Sequence, residues 1–269
     1  MTSNTFWQAA TLNGVTTVGA PHCVVMSMTA RMEIVERKPG ESFMDALARQ
    51  NQRMPYTCAI NGPMYRLSAQ GWATVGLGNV DPKEVSPRGL MVRQGAAVAG
   101  QSMRDMFYVA YDYLGGYTFG FGDPAVNSAR AVGGLGPLII DGVPYGTTTL
   151  CKLPANCKPK GPPPPGMAGH MIQRSNATFA AFQQLPPATG KAILATNKEL
   201  QRLLVCVQPQ GGAGMAIEAV KLWLLSLGCD NAVFMDGSDS VVLHARGTLW
   251  AQPGILKNRG NTLGLAFYS

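Results

Sequence analysis

GGAGMAIEAVKLWLLSLGCDNAVFMDGSDSVVL, residues 211–243, holds a helix, a strand and a polar turn in that order. Ile217, Val220, Leu224 and Leu227 recur at helical spacing, and Gly228 offers the positive φ that ends a helix. Asn231 to Met235 is a short apolar run, the pattern of a strand covered on both faces. It stops at Asp236-Gly237-Ser238-Asp239-Ser240, and Val241, Val242 and Leu243 resume strand character. A buried strand thus delivers two carboxylates and two hydroxyls to a tight turn between rigid elements, a placement that suits chemistry. Asp-Gly between β-rich runs is equally a hairpin signal with no function attached. On these residues alone, the structural turn is the simpler reading.

The composition narrows the class. A chain of 269 residues, 46% hydrophobic, builds a sizeable core as one large domain or two small ones. Its 32 glycines and 19 prolines imply many turns and short elements, which favours a strand-rich α+β architecture over a helical bundle. No apolar run approaches the roughly 20 residues of a membrane span, so stable membrane insertion is not expected. The opening MTSNTFWQAATLNG lacks the basic and apolar regions of a secretory signal. Six scattered cysteines without a CxxC pair argue against a zinc ribbon and fit mostly reduced thiols, with Cys151 and Cys157 able to pair in an exported protein. A net charge of +7 favours anionic partners, but the basic residues are dispersed, which argues against a nucleic-acid stripe.

Along the chain, Cys23 to Val35 reads as one or two strands, and Ser42 caps a helix over Phe43 to Gln50. Thr57 to Ile60 is a strand that runs into the forced turn Asn61-Gly62-Pro63. Residues Trp72–Gly78, Gly89–Val98 and Asp105–Leu114 read as further short strands, and Gly115–Gly122 as a loop. Arg130 to Gly142 is a glycine-rich approach to an apolar strand; its glycines do not form GxGxxG, so a dinucleotide site is a weak reading. Cys151–Gly169, with four prolines at Pro162 to Pro165, reads as an exposed insertion loop. Lys191 to Val207 is strand, turn, strand, and Lys257 to Phe267 closes with a last strand. No repeat or linker divides residues 1–269, which read as a single domain: 1–41 are divergent N-terminal strands and 151–169 the insertion.

The ordered pieces Ala59-Ile60-Asn61-Gly62, Gly136-Pro137-Leu138-Ile139-Ile140-Asp141-Gly142, Arg174-Ser175-Asn176-Ala177, Phe234-Met235-Asp236-Gly237-Ser238-Asp239-Ser240 and Asn258-Arg259-Gly260-Asn261 resemble the phosphodiester glycosidase family. The resemblance runs from about Ser42 to the end. In that family, Ala-Ile-Asn-Gly-Gly-aromatic and Asn-Leu-Asp-Gly-Gly-Gly-Ser stand at the corresponding strand ends. Here Pro63 and Met64 replace a glycine and an aromatic, Ser238 and Asp239 replace two glycines, and Asn176 interrupts the arginine motif.

The resemblance implies an α+β fold of mixed sheets with a few flanking helices. It also implies hydrolysis of an N-acetylglucosamine-1-phosphate type linkage in a carbohydrate or phosphoglycan. Such a reaction passes through an oxocarbenium-like transition state and needs a carboxylate, with cations and N–H donors for the phosphate. Asp236 is the expected carboxylate and Asp239 a second. Asn61, Gly62, Gly237, Ser238 and Ser240 are expected beside the sugar or phosphate, and Arg174, Lys191 and Arg259 as phosphate clamps, each otherwise a solvated charge. Glu218, in the first helical turn, is an acidic candidate or a partner of the helix dipole. His244 is a general-acid candidate or a structural histidine. No cofactor is implied; a divalent cation between Asp236 and Asp239, making a phosphodiesterase, is one alternative, and a glycan-binding module another. The expected location is the periplasm or envelope after export without a signal, or the cytoplasm; the oligomeric state is left open.

Overall fold

A computed structural model describes residues 6–8, 22–103, 106–125, 127–144, 185–211 and 214–269, with 6–8 taken as backbone only. Arg174, Cys151, Cys157 and the proline-rich stretch lie outside the described residues. In chain order the elements are β1 (Phe6–Gln8), β2 (His22–Ser27), β3 (Arg31–Glu36), α1 (Phe43–Arg53), β4 (Cys58–Asn61), β5 (Tyr65–Leu67), α2 (Ala69–Val75), β6 (Val85–Pro87), β7 (Met91–Arg93) and β8 (Ala96–Ala99). There follow β9 (Phe107–Tyr111), β10 (Tyr117–Phe121), β11 (Arg130–Ile140), β12 (Val143–Pro144), β13 (Lys191–Asn197), β14 (Arg202–Gln208), α3 (Ile217–Ser226), β15 (Asn231–Phe234), β16 (Leu243–Ala245), β17 (Thr248–Ala251), α4 (Ile255–Gly260) and β18 (Leu263–Tyr268).

Among the described residues, an eleven-stranded sheet follows the order β1-β2-β14-β13-β15-β11-β7-β8, with β9 and β12 also paired to β11 and β10 paired to β9. A five-stranded sheet runs β17-β16-β4-β18-β3, and β5 pairs with β6. The side chains explain how the sheets stack. On β14, Leu203, Val205 and Val207 face the core shared with the smaller sheet, while Leu204 and Cys206 face Ile217, Val220 and Leu224 of α3. On β4, Cys58 and Ile60 enter that shared core and Ala59 meets Phe43, Ala46 and Leu47 of α1. The layers are therefore helix, sheet, sheet, helix. Both faces of the central strands are dry, which is why β13, β14 and β15 show apolar runs rather than alternation. The architecture is α+β and strand-rich, as the composition implies.

The helix over residues 43–53 begins where expected: Ser42 accepts from the Asp45 backbone N–H at 3.2 Å, and the Asp45 carboxylate reaches back to the Ser42 N–H at 2.9 Å. Other expectations are corrected. Residues 72–75 are helix α2, not strand, because Ser68 accepts from the Gly71 N–H at 3.0 Å and caps it. Residues 117–121 are strand β10, not loop, because Gly120 lies opposite Tyr108 in the β9 pairing and leaves room for the phenol ring, which a Cβ there would meet at 2.5 Å. Residues 257–259 belong to α4, ahead of the last strand. Cys23 and Cys206, paired across β2 and β14, form a disulfide, which corrects the expectation of reduced thiols at those two positions; Cys58 and Cys229 are free and buried.

Candidate active site

The turn after β15 is not a hairpin. β15 belongs to the larger sheet and β16 to the smaller, so residues 235–242 carry the chain across the sandwich. The neighbouring turn, after β4, meets it there. Asn61 is fully buried; its amide donates to the Asp236 carbonyl at 2.8 Å, and its carbonyl oxygen accepts from the Val242 N–H at 3.0 Å. The Asp236 N–H in turn donates to the Gly62 carbonyl at 3.3 Å. Ser238, at φ 57°, donates its N–H to the Gly190 carbonyl at 2.8 Å. Gly237 passes so close beneath this contact that a Cβ would lie 2.7 Å from both the Gly190 oxygen and the Phe234 ring. A Cβ on Gly62 would lie 2.8 Å from the Leu263 carbonyl. These residues form a seam that holds Asp236 in place.

Asp236 and Asp239 open into a cleft of about 670 Å³. Its other lining comes from Met64, the strand β5 (Tyr65, Arg66, Leu67), α2 (Trp72, Val75), α4 (Leu256, Lys257), Arg88 and Leu185. Burial pushes the Asp236 carboxyl up to about 6; the Ser240 hydroxyl, the Lys257 charge and the Gly237 N–H, at 3.1 Å, oppose the rise, and Asp239 adds to it. Burial, reinforced by Asp236 and Asp239, also holds the Tyr65 phenol well above its ordinary range, so it stays a proton donor. The Ser240 hydroxyl lies among these groups, fully buried, without a hydrogen bond of normal geometry. At the rim, the Asp239 carboxylate is 46% exposed and 3.8 Å from the Lys257 ammonium, which sits 5.7 Å from the centre of the Tyr65 ring.

The expected residues divide accordingly. Asp236 and Asp239 share the cleft; Asn61, Gly62, Gly237, Ser238 and Ser240 build or flank the seam. Asn61 braces Asp236 from behind, with both ends of its amide engaged. Lys191 lies elsewhere: with no exposed surface, its ammonium donates to the Pro187 and Thr189 carbonyls at 3.0 and 2.6 Å, and burial pushes it down to about 8. That bond shapes the segment leading to Gly190, so Lys191 supports the seam from a distance. Glu218 is paired with Lys221 at 2.9 Å on α3 and is not part of the cleft lining. Arg259 donates to the Val75 and Gly76 carbonyls at 3.3 and 3.0 Å, closing the end of α2. His244 hydrogen-bonds Tyr56 at 2.9 Å with its ring edge-on, and burial lowers its pKa.

Sequence reasoning missed Tyr65, Arg66, Trp72, Arg88 and Lys257. A signal for the first two lay in their position: they follow the Asn61 turn directly, at the same end of the sandwich as Asp236. Lys257 and Arg88 carried no local signal, since only the folded chain brings them to the turn. Among the described residues, no three His, Cys, Asp or Glu side chains gather as metal ligands, and no helix is long and apolar enough to cross a membrane.

Fold and cleft together define a two-sheet α+β sandwich whose cleft, at the seam between its sheets, gathers two carboxylates and three cations. No protein-family profile and no curated protein matches the sequence. The fold is similar to that of the zebrafish N-acetylglucosamine-1-phosphodiester alpha-N-acetylglucosaminidase catalytic domain auto-inhibited by its pro-peptide: the TM-score is 0.61 at 14% identity, over 99% of this chain and 82% of that one. A protein from Burkholderia pseudomallei K96243 is also similar, with a TM-score of 0.52 at 11% identity, over 93% of this chain and 74% of that one.

Proposed function

We propose that the cleft hydrolyses a sugar-1-phosphodiester of the N-acetylglucosamine-1-phosphate type. One observation carries the reading: the two carboxylates on the seam share a single cleft with Arg66, Arg88 and Lys257. The similarity in fold to a phosphodiester glycosidase supports it.

In this reaction water attacks the anomeric carbon, and its oxygen forms the new bond. The bond from that carbon to the phosphate oxygen breaks, and its electron pair leaves with the phosphate. The leaving group is already a weak base, so no strong general acid is needed. What the site must supply is a base for the water and positive charge for the phosphate. Asp236, ionised above pH of about 6, takes the proton from water and faces the developing charge on the sugar. Lys257, Arg66 and Arg88 hold the phosphate, and Tyr65 donates a hydrogen bond. Asp239 orients Lys257. Asn61 acts through Asp236 as a positioning residue.

The test is product analysis on a panel of sugar-1-phosphodiesters, including UDP-N-acetylglucosamine and envelope polymers, with wild type and Asp236→Asn. Free reducing sugar from wild type, reduced on the order of 10²–10⁴-fold in Asp236→Asn, is expected. Release of sugar phosphate would place the broken bond on the other side of the phosphorus, at the second ester oxygen, and overturn this chemistry.

A further inference from the structure

The mechanism leaves one wall of the cleft without a task. It is the apolar part of the side formed by helices α2 and α4, next to Lys257: Trp72 on α2 leaves 64% of its surface exposed, and Leu256 on α4 leaves 49%. The wall is not loosely held. The Ser68 hydroxyl caps α2, Gly71 packs tightly enough that a Cβ would meet the Glu84 carbonyl at 3.1 Å, and Arg259 ties α4 to the last carbonyls of α2. A rigid helix thus presents an indole to solvent inside the same cleft that holds the carboxylates and three cations. Those charged groups suit a phosphodiester and its reacting carbon; none of them suits the C–H face of a pyranose. An indole does, because its negative π-face attracts the positive edge of C–H groups and its flat area excludes water from them.

We infer that Trp72, with Leu256 beside it, is the platform on which the sugar ring of a phosphoglycan stacks, so that Trp72 sets affinity for the sugar while the cations hold the phosphate. The inference rests on reading the cleft as a phosphoglycan site. It names the pyranose as the group that the site selects, and Trp72 as a specificity-determining residue.

Calorimetric titration separates sugar recognition from phosphate recognition. N-acetylglucosamine 1-phosphate is the sugar-bearing probe and glycerol phosphate the probe without a ring, each measured with wild type, Trp72→Ala and Trp72→Phe. Trp72→Ala is expected to weaken the sugar phosphate about tenfold, the effect of losing one stacked apolar face. It should leave glycerol phosphate unchanged, and Trp72→Phe should retain most of the sugar affinity. Three outcomes overturn the inference: equal sugar-phosphate binding in wild type and Trp72→Ala, equal loss of both probes in Trp72→Ala, or no binding of the sugar phosphate by wild type. The hydrolase reading fails separately. Trp72-dependent binding of the sugar phosphate without turnover of any diester would sink hydrolysis and leave the platform standing.

Discussion

At Asp236 burial shifts the protonation of the carboxyl. The carboxyl moves from an ordinary 3.8 to about 6 because it sits on a turn sealed by Asn61, Gly62 and Gly237, where the ionised form loses water. The proposed base must be ionised, and a raised pKa means that the ionised fraction falls as pH drops below about 6. The rate kcat/KM should therefore fall about tenfold per pH unit on the acid side of a limb near 6. A pH–rate profile on a sugar-1-phosphodiester that the wild type turns over checks this; a limb remaining near 4 would put the base elsewhere. The neighbouring positions show what the local sequence holds and what it leaves out. Ser238 stands where the resemblance places a glycine, and its φ of 57° shows that the backbone retains the left-handed conformation that glycine adopts freely. From its own residues Asn61 read as the start of a forced turn, and only the resemblance made it a site candidate. Its task, bracing Asp236 across 175 residues of sequence, was not legible there.

The elements that shape the cleft were the least legible part of the chain. Trp72, Val75 and the glycines of residues 72–78 read as a strand because seven-residue helices carry too little periodicity to announce themselves. The decisive information is the Ser68 cap and a tertiary bond from α4. Arg259, expected at a phosphate, instead closes α2. Its substitution to Ala leaves the carbonyls of Val75 and Gly76 to water and costs about 0.5–1.5 kcal/mol. Thermal melting should register a fall of a few degrees. Hydrogen exchange should quicken over residues 69–76, and KM should rise while kcat is kept, because the wall loosens and Asp236 does not move. A loss confined to kcat would instead place Arg259 among the reacting groups.

Across the whole molecule, the larger sheet carries a covalent tie. The Cys23–Cys206 disulfide joins residues 183 apart in sequence, although they are direct neighbours across β2 and β14. Reduction frees that loop in the unfolded chain, and the expected loss is about 2–4 kcal/mol. Melting curves with and without dithiothreitol, with peptide mapping under non-reducing conditions, check the bond; identical curves together with free thiols at both positions would remove it.

By itself, the sequence determined the strand-rich α+β class, the helix over 43–50, the buried strands around 191–207 and 231–235, and Asp236 at a strand end. These are local matters: apolar runs, helical spacing and caps act within a few residues, where the chain's own chemistry decides. Only the tertiary structure decided that the Asp236 turn crosses between sheets rather than closing a hairpin, and that Tyr65, Arg66, Arg88 and Lys257 meet it in one cleft. It also decided that Lys191 and Arg259 serve backbone carbonyls. The physical reason is that a charged side chain looks the same in sequence whether it faces solvent, a carbonyl or a substrate. What it does depends on which groups stacking the two sheets brings within hydrogen-bond reach.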